Sequence, residues 1–343
     1  MFSIAAVSAV FAVGCGGEKG DGADAASKGK AQATVVVYVS EDQVFSEPIL
    51  KDFERDTGIR VKAVYDTEET KSTGAMNRLI AEKGNPQADV YWANEPIRAE
   101  VLKRKGVSEP YFSPNAKGIP AGFKDSEGCW TGFSARARVF VVAAGAKEKP
   151  SGLSAYTDPK WKGRAAIANP LFGTTTSEIA ALFAVWGDAK AKKFMAGMKA
   201  NGVKVTSDNG ESADAVASGK VDFSLVDSDD AINRIRRGEK LDLVYPDQGV
   251  GGLGTFIVPN AVVLIKGCPH PEAARKLMDY LLSKETERKL ALADCAQIPL
   301  HSGVEGPPEL KPMDGIKAMR VDYAEVADKM VETQPFLKSW LGL

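Results

Sequence analysis

Carboxylates recur in the turns of this chain where a β-branched run gives way to a helical pattern. Glu41-Asp42 follows one such run, Asp66 with Glu68 and Glu69 another, Asn94-Glu95 a third, and Asp227-Ser228-Asp229-Asp230 a fourth. Oxygen donors gathered from several turns could hold a hard cation, and the same charges could grip an ammonium group. Uncharged polar groups stand in matching places: Ser40 and Gln43, the run Gly173-Thr174-Thr175-Thr176, and Asn209. Every one of these has a second explanation, because Asp, Ser, Thr and Asn are preferred helix caps and acids favour the first helical turn. It is their joint excess that points to a cationic ligand. The only histidines are His270 and His301, too few for a histidine metal cage and a poor supply of bases for a serine or cysteine nucleophile. A carboxylate pair such as Glu95 with Asp229 could serve as acid and base in an exported hydrolase. No motif supports that alternative.

The turns need strands and helices to hold them in place. Thr34 to Ser40 (TVVVYVS) reads as a buried strand, with Ser46 available to cap the helix carrying Ile49, Leu50 and Phe53, which closes at Gly58. Strand 59–65, helix 72–83, strand 88–92 and a helix capped by Asn94 follow, and this β-α-β-α-β-α order implies a mostly parallel sheet. A second unit runs through strand 137–143, helices 174–186 and 189–200, strand 203–206, strand 221–226 and the helix holding Ile232 and Ile235. Strands 241–245 and 255–265, a helical hairpin and a looser tail complete it. In open α/β sheets ligands bind beyond the carboxyl ends of strands, which is where the acidic turns fall.

The length of 343 residues suits two domains, and 44 basic against 45 acidic residues leave no basic footprint for nucleic acid. No apolar run approaches the roughly 20 residues of a membrane-spanning helix. Residues 1–14 (MFSIAAVSAVFAVG) read as a signal peptide, and Cys15 behind them looks like the lipidated residue of a bacterial lipobox. Residues 15–33 are rich in Gly, Ala and charge, and predict a lipid-anchored flexible tether with a reach of about 23 Å. Cys129, Cys268 and Cys295 remain in an exported, disulfide-permissive chain. A single helix over 270–293 would hold Cys268 and Cys295 more than ~30 Å apart. A hairpin broken at Ser283 would allow them to pair.

The segments 35–66 (VVVYVSEDQVFSEPILKDFERDTGIRVKAVYD), 85–106 (NPQADVYWANEPIRAEVLKRKG) and 255–283 (TFIVPNAVVLIKGCPHPEAARKLMDYLLS) carry a family likeness, joined by 219–230 and Gln297-Ile298-Pro299-Leu300. With them the chain resembles bacterial periplasmic solute-binding proteins of ABC importers, in the branch that includes ferric-ion receptors. The resemblance implies an α/β, type II periplasmic-binding-protein fold: two doubly wound lobes, a hinge and a central ligand cleft. Lobe 1 would be 34–138 plus 257–298, and lobe 2 139–256 plus 299–343. It implies a receptor that does no chemistry and requires no cofactor. Iron(III) or another hard cation would be its cargo and an inner-membrane permease its partner. The protein would be a monomer in the periplasm, touching the membrane through its lipid alone. A polyamine, thiamine-like or aminophosphonate ligand is the alternative cargo.

Carried over residue by residue, Glu95 matches a metal-binding carboxylate of the ferric branch, and the turn holding Glu41 and Asp42 matches its first-lobe ligand. Arg136 and the helix start at Gly173–Thr175 match the site of an accompanying anion, for which a helix N-terminus is suited. At the family's adjacent tyrosines, counted from Gly219, this chain has Asp229 and Asp230. The metal ligands implied are therefore Asp42, Glu95, Asp229 and Asp230, an all-carboxylate set that also suits Ca²⁺, Mg²⁺ or Mn²⁺. Replacing Cys15→Ser is expected to move the protein from the membrane fraction to the soluble fraction of cells; a wild type already soluble would exclude the lipid anchor.

Overall fold

A computed structural model describes residues 32–66 and 72–343. The signal peptide, Cys15, most of the tether and the acids Glu68 and Glu69 lie outside the described residues. In chain order the elements are β1 (Thr34–Val39), α1 (Gln43–Thr57), β2 (Arg60–Tyr65), α2 (Thr73–Ala81), β3 (Val90–Ala93), α3 (Pro96–Arg104), β4 (Ser108–Glu109) and β5 (Thr131–Ala143). Then come β6 (Ala165–Ala168), α4 (Gly173–Trp186), α5 (Asp188–Ala200), β7 (Lys204–Thr206), α6 (Asn209–Ala217), β8 (Phe223–Asp227), α7 (Ser228–Arg236) and β9 (Leu241–Val244). The chain ends with β10 (Ile257–Ile265), α8 (Pro271–Leu281), α9 (Lys284–Leu292), α10 (Tyr323–Glu332) and α11 (Gln334–Leu341).

One strand joins the two halves. The path β2-β1-β3-β10-β5-β8-β6-β7 is continuous, because Thr131–Ala137 of β5 pairs with β10 and Arg138–Val142 pairs with β8. β1 lies parallel to both β2 and β3, and β6 parallel to both β7 and β8, as strands joined by helical crossovers must. In each half the parallel strands point their carboxyl ends toward the middle of the molecule. The helices cover the sheet faces with apolar stripes, such as Ile49, Leu50 and Phe53 of α1 and Ile179, Leu182 and Phe183 of α4. β5 is buried from Thr131 to Val142 although Thr131, Ser134, Arg136 and Arg138 lie in it, so those polar groups depend on partners inside the protein. No described helix is long and apolar enough to cross a membrane.

Several local expectations are corrected. Ser46 lies inside the first turn of α1, its hydroxyl donating to the Asp42 carbonyl at 2.9 Å, so the helix starts four residues earlier than a Ser46 cap would allow. Glu95, not Asn94, caps α3. The tail is helical, and α10 packs on both α4 and α3. Cys268 and Cys295 are free, as is Cys129. The hairpin of α8 and α9 does form, but it does not bring the two thiols together. Cys268 sits beyond Ile265, at the far end of β10, while Cys295 precedes Ile298, which pairs with Ala135 opposite Pro259. Six strand residues at ~3.3 Å each put roughly 20 Å between those places, and a disulfide needs its Cα atoms within about 7 Å.

His301, buried against α9, meets a carboxylate at Nδ1 (Glu287, 2.8 Å) and the Asn115 carbonyl at Nε2 (2.8 Å). A carboxylate at one ring nitrogen and a carbonyl at the other is an arrangement that favours the doubly protonated ring. The hydrogen bond to Glu287 raises the His301 pKa above its ordinary value, against the opposing effect of burial. The stabilisation is therefore fully present below the ordinary histidine pKa of about 6.5 and is lost as pH rises through the raised value. The urea midpoint of His301→Gln is expected to lie below wild type at pH 6, with the gap narrowing toward pH 9; a gap independent of pH would refute the imidazolium.

Candidate functional site

The middle of the molecule holds two arginines from one strand, two residues apart on β5. Arg138 is completely buried and fully engaged. Its Nε donates to Glu178 (2.9 Å), and its Nη1 donates to Asp227 (3.0 Å), Asn209 (3.0 Å) and Thr174 (3.1 Å). Nη2 donates to Thr175 (3.2 Å). The Thr174 hydroxyl returns to the other Asp227 oxygen at 2.7 Å, and the Asn209 amide reaches it at 3.3 Å. Four residues that the sequence assigns to ligand binding, Thr174, Thr175, Asn209 and Asp227, are thus gathered around a guanidinium that sequence reading does not single out. Asp227 is the residue before α7, yet its side chain makes no cap there. Its neighbours in the ladder explain this: Asp227 stands opposite Arg138 in the β5–β8 register.

Arg136 is set differently. It is 7% exposed, its Nη2 donates to the Asn94 carbonyl, and its buried Nε has no hydrogen-bond partner. Burial works against its charge, but Asp227, Asp229, Glu41 and Asp42 outweigh that and hold its pKa above the arginine value. Arg136 therefore lies between the acidic turn after β1 and the acidic turn after β8.

In the second turn, one carboxylate oxygen from each of Asp227, Asp229 and Asp230 falls within a 4.8 Å cluster. Asp229 and Asp230 are half-buried at the start of α7, where the Asp229 carboxylate accepts the Asp230 amide at 3.0 Å. Burial pushes the Asp229 pKa up to about 6, with Asp227 adding to it and Arg136 opposing. Burial and then Asp229 push Asp230 well above the ordinary carboxylate range. Like charges this close cannot all ionise freely without a counter-charge. The arrangement can thus accept a cation through oxygen or hold a proton in its absence.

The first-half residues divide. Asp42, at the mouth of α1, adds its charge to the surroundings of both Arg136 and Asp229. Glu41 is buried and accepts from Gln297 Nε2 at 3.0 Å. Ser40 is engaged inside the first half, hydrogen-bonded to Tyr91 (2.9 Å) and Asp66 (3.1 Å). Asn94 accepts from Ser72. Glu95 accepts the amides of Ile97 and Arg98 and the Arg98 guanidinium (2.7 Å), so its carboxylate is occupied by its own helix. It also accepts from the hydroxyl of Ser177 of α4, at 3.5 Å.

No tyrosine belongs to the acid cluster. Seven of the eight have hydroxyls bonded elsewhere, including Tyr245 to the Lys311 amide and Tyr323 to the Ile257 carbonyl. The eighth, Tyr65, ends the edge strand β2, and burial raises its pKa to about 12. The cluster offers carboxylate oxygens and no phenolate.

The description "Bacterial extracellular solute-binding protein" fits residues 49–315, well over half of the chain. The chain belongs to that family. Among curated relatives of this solute-binding protein, Iron uptake protein A1 of Synechocystis is 27% identical over 299 residues, covering 82% of this chain and 81% of the relative. The Major ferric iron-binding protein of Neisseria meningitidis is 25% identical over 309 residues, covering 87% and 90%. In fold it matches iron-bound HitA from Pseudomonas aeruginosa with a TM-score of 0.78 at 23% identity, over 89% of this chain and 99% of the other. The Trichodesmium protein solved with iron and citrate matches with a TM-score of 0.79, over 90% and 99%. The fold is accordingly the type II binding-protein fold.

The acids of the cluster differ in their partners: Asp227 accepts from the Arg138 guanidinium, and Asp229 from a backbone amide. Asp227→Asn breaks a buried charge pair and is expected to cost about 3–5 kcal/mol of stability. Asp229→Asn relieves a crowd of like charges and should leave stability unchanged or higher. Denaturant midpoints of the two variants decide this; equal losses would contradict it.

Proposed function

We propose that this protein is the extracytoplasmic receptor of an ABC importer and that its cargo is iron(III) or a comparably hard cation. The observation that carries the reading is the clustered carboxylate set of Asp227, Asp229 and Asp230, whose charge and that of Asp42 both act on Arg136. The named iron-binding relatives, similar over more than four-fifths of both chains, support the same cargo. In this reading Asp229 and Asp230 are the direct ligands, Asp42 completes the set from the first half, and Asp227 is held by Arg138. Glu95 assists by fixing α3 and touching Ser177, and not as a metal ligand.

The lobes would be residues 34–138 with 257–298 and residues 139–256 with 299–343, hinged on β5 and on the entry to β10. Ligand in the cleft holds them closed, and the closed form is what an inner-membrane permease engages. A signal peptide, lipidation at Cys15 and the tether to residue 33 place the monomer in the periplasm at a membrane surface. It captures cargo without transforming it.

A second cargo has one specific observation in its favour. The unpartnered Nε of Arg136 beside the acids suits a ligand with an anionic end as well as a cationic one. An aminophosphonate or similar zwitterion has that form.

Titration of the purified protein with iron(III) nitrilotriacetate, followed by tryptophan fluorescence and visible absorbance, tests the reading. Binding should occur without the strong visible band of a tyrosinate–iron complex. Asp229→Asn and Asp230→Asn should each weaken it by roughly 1.5–3 kcal/mol, the worth of a charge-assisted contact. A red ferric complex, or wild-type affinity in the double variant, would place the site elsewhere. Failure to bind iron(III) alongside binding of an aminophosphonate would favour the second cargo.

A further inference from the structure

Ser134 lies in β5 with a φ of 39°, a left-handed backbone that a serine rarely adopts. It has no opposite residue. Phe133 pairs with Asn260 and Ala135 with Pro259, so Ser134 is the extra residue of a β-bulge. The residue is completely buried, which leaves both of its backbone polar groups dependent on protein partners.

Those partners come from two separate networks. The Ser134 amide donates to Glu287 Oε1 at 2.8 Å. Glu287 is itself completely buried and also accepts the amides of Leu300 and His301 (2.9 Å each) and the His301 ring. The Ser134 carbonyl accepts from Asn260 Nδ2 at 2.8 Å, and the same amide donates to Gln297 at 2.8 Å. Gln297 in turn donates to Glu41 at 3.0 Å. From the bulge, then, one path leads along the strand to Arg136, two residues on, and another leads through Asn260 and Gln297 to Glu41.

We infer that the Ser134 bulge, clamped by the Glu287–His301 pair on one side and by Asn260 on the other, aims Arg136 and Glu41 into the cleft. Glu287, His301 and Asn260 are thus positioning residues for ligand capture. The extra residue shifts everything after it by one place against β10 and sets Arg136 opposite Val258. A strand that relaxed to regular pairing would carry Arg136 away from the acids whose charges it balances. A buried ion pair whose only task was stability would do no better than apolar packing, whereas fixing a single register is the better-attested use of such groups. The inference rests on the cleft reading above but not on the identity of the cargo.

Two variants act on the clamp from opposite sides without touching Arg136 or Glu41. A Cβ at Gly118 would stand 2.5 Å from His301 Cδ2, so Gly118→Ala displaces the ring. Asn260→Asp removes the donor to the Ser134 carbonyl. In the ligand-free full chain, the Arg136 Nε–H resonance and amide exchange at residues 134–137 are read by NMR. Both variants should shift the resonance, speed exchange at those amides about tenfold or more, and weaken iron(III) nitrilotriacetate binding by about tenfold. An unmoved Arg136 signal in both variants overturns the inference. So does a moved signal with unchanged iron affinity. If the wild type binds no iron(III), the cargo reading falls, and the Arg136 signal alone decides the positioning role.

Discussion

A guanidinium shut away from water requires an acceptor for every donor it carries, and Arg138 imposes that requirement on much of the second half of the molecule. Its acceptors come from α4, α6 and β8, so three elements must converge on one point of β5. Glu178 and Asp227 supply the counter-charge within that dry space. Removing either partner would leave a charge that the interior cannot solvate. The carboxyl ends of the second-half strands are consequently brought to the middle of the molecule, and the acidic start of α7 is delivered with them.

The same strand carries Arg136 to the edge of this network, where the acceptors are incomplete. Two arginines on one face of one strand therefore do different work. Arg138 is satisfied by the fold, while Arg136 keeps an unpartnered Nε, with its charge held by four surrounding carboxylates. The difference comes from what each residue is paired with: Asp227 stands opposite Arg138, and Val258 opposite Arg136.

Most of the architecture was legible in the residues, because β-branched runs and helical stripes mark fully buried strands and half-buried helices clearly. The β1-α1-β2-α2-β3-α3 order and the acidic turns at the strand ends stand where periodicity and family likeness put them. The misses have local causes. β6 is Ala165–Ala168, an alanine-rich strand with little β-propensity, recognisable only through its pairing with β7 and β8. α10 and α11 meet at Thr333, with a proline just inside the second, which breaks their pattern into two short pieces. Arg138 was hidden because a charge inside the run ARVFVVA looks like an edge position. A charged residue in an otherwise unbroken apolar strand was the available signal, since it demands buried acids elsewhere. Pairing across long separations, such as Asp227 with Arg138, leaves no trace in local spacing.

Cys295 adds a condition on what the cleft can take. Its Sγ lies near Glu41 and Asp229, but it donates to the Leu290 carbonyl, and burial followed by those two carboxylates raises its pKa. A thiol kept protonated is a poor ligand for soft ions, which bind thiolate. No disulfide claims the sulfur, and it is buried beside oxygen atoms that hold it in the thiol form. The two carboxylates thus act on the thiol through their charge, and its hydrogen stays committed to the Leu290 carbonyl.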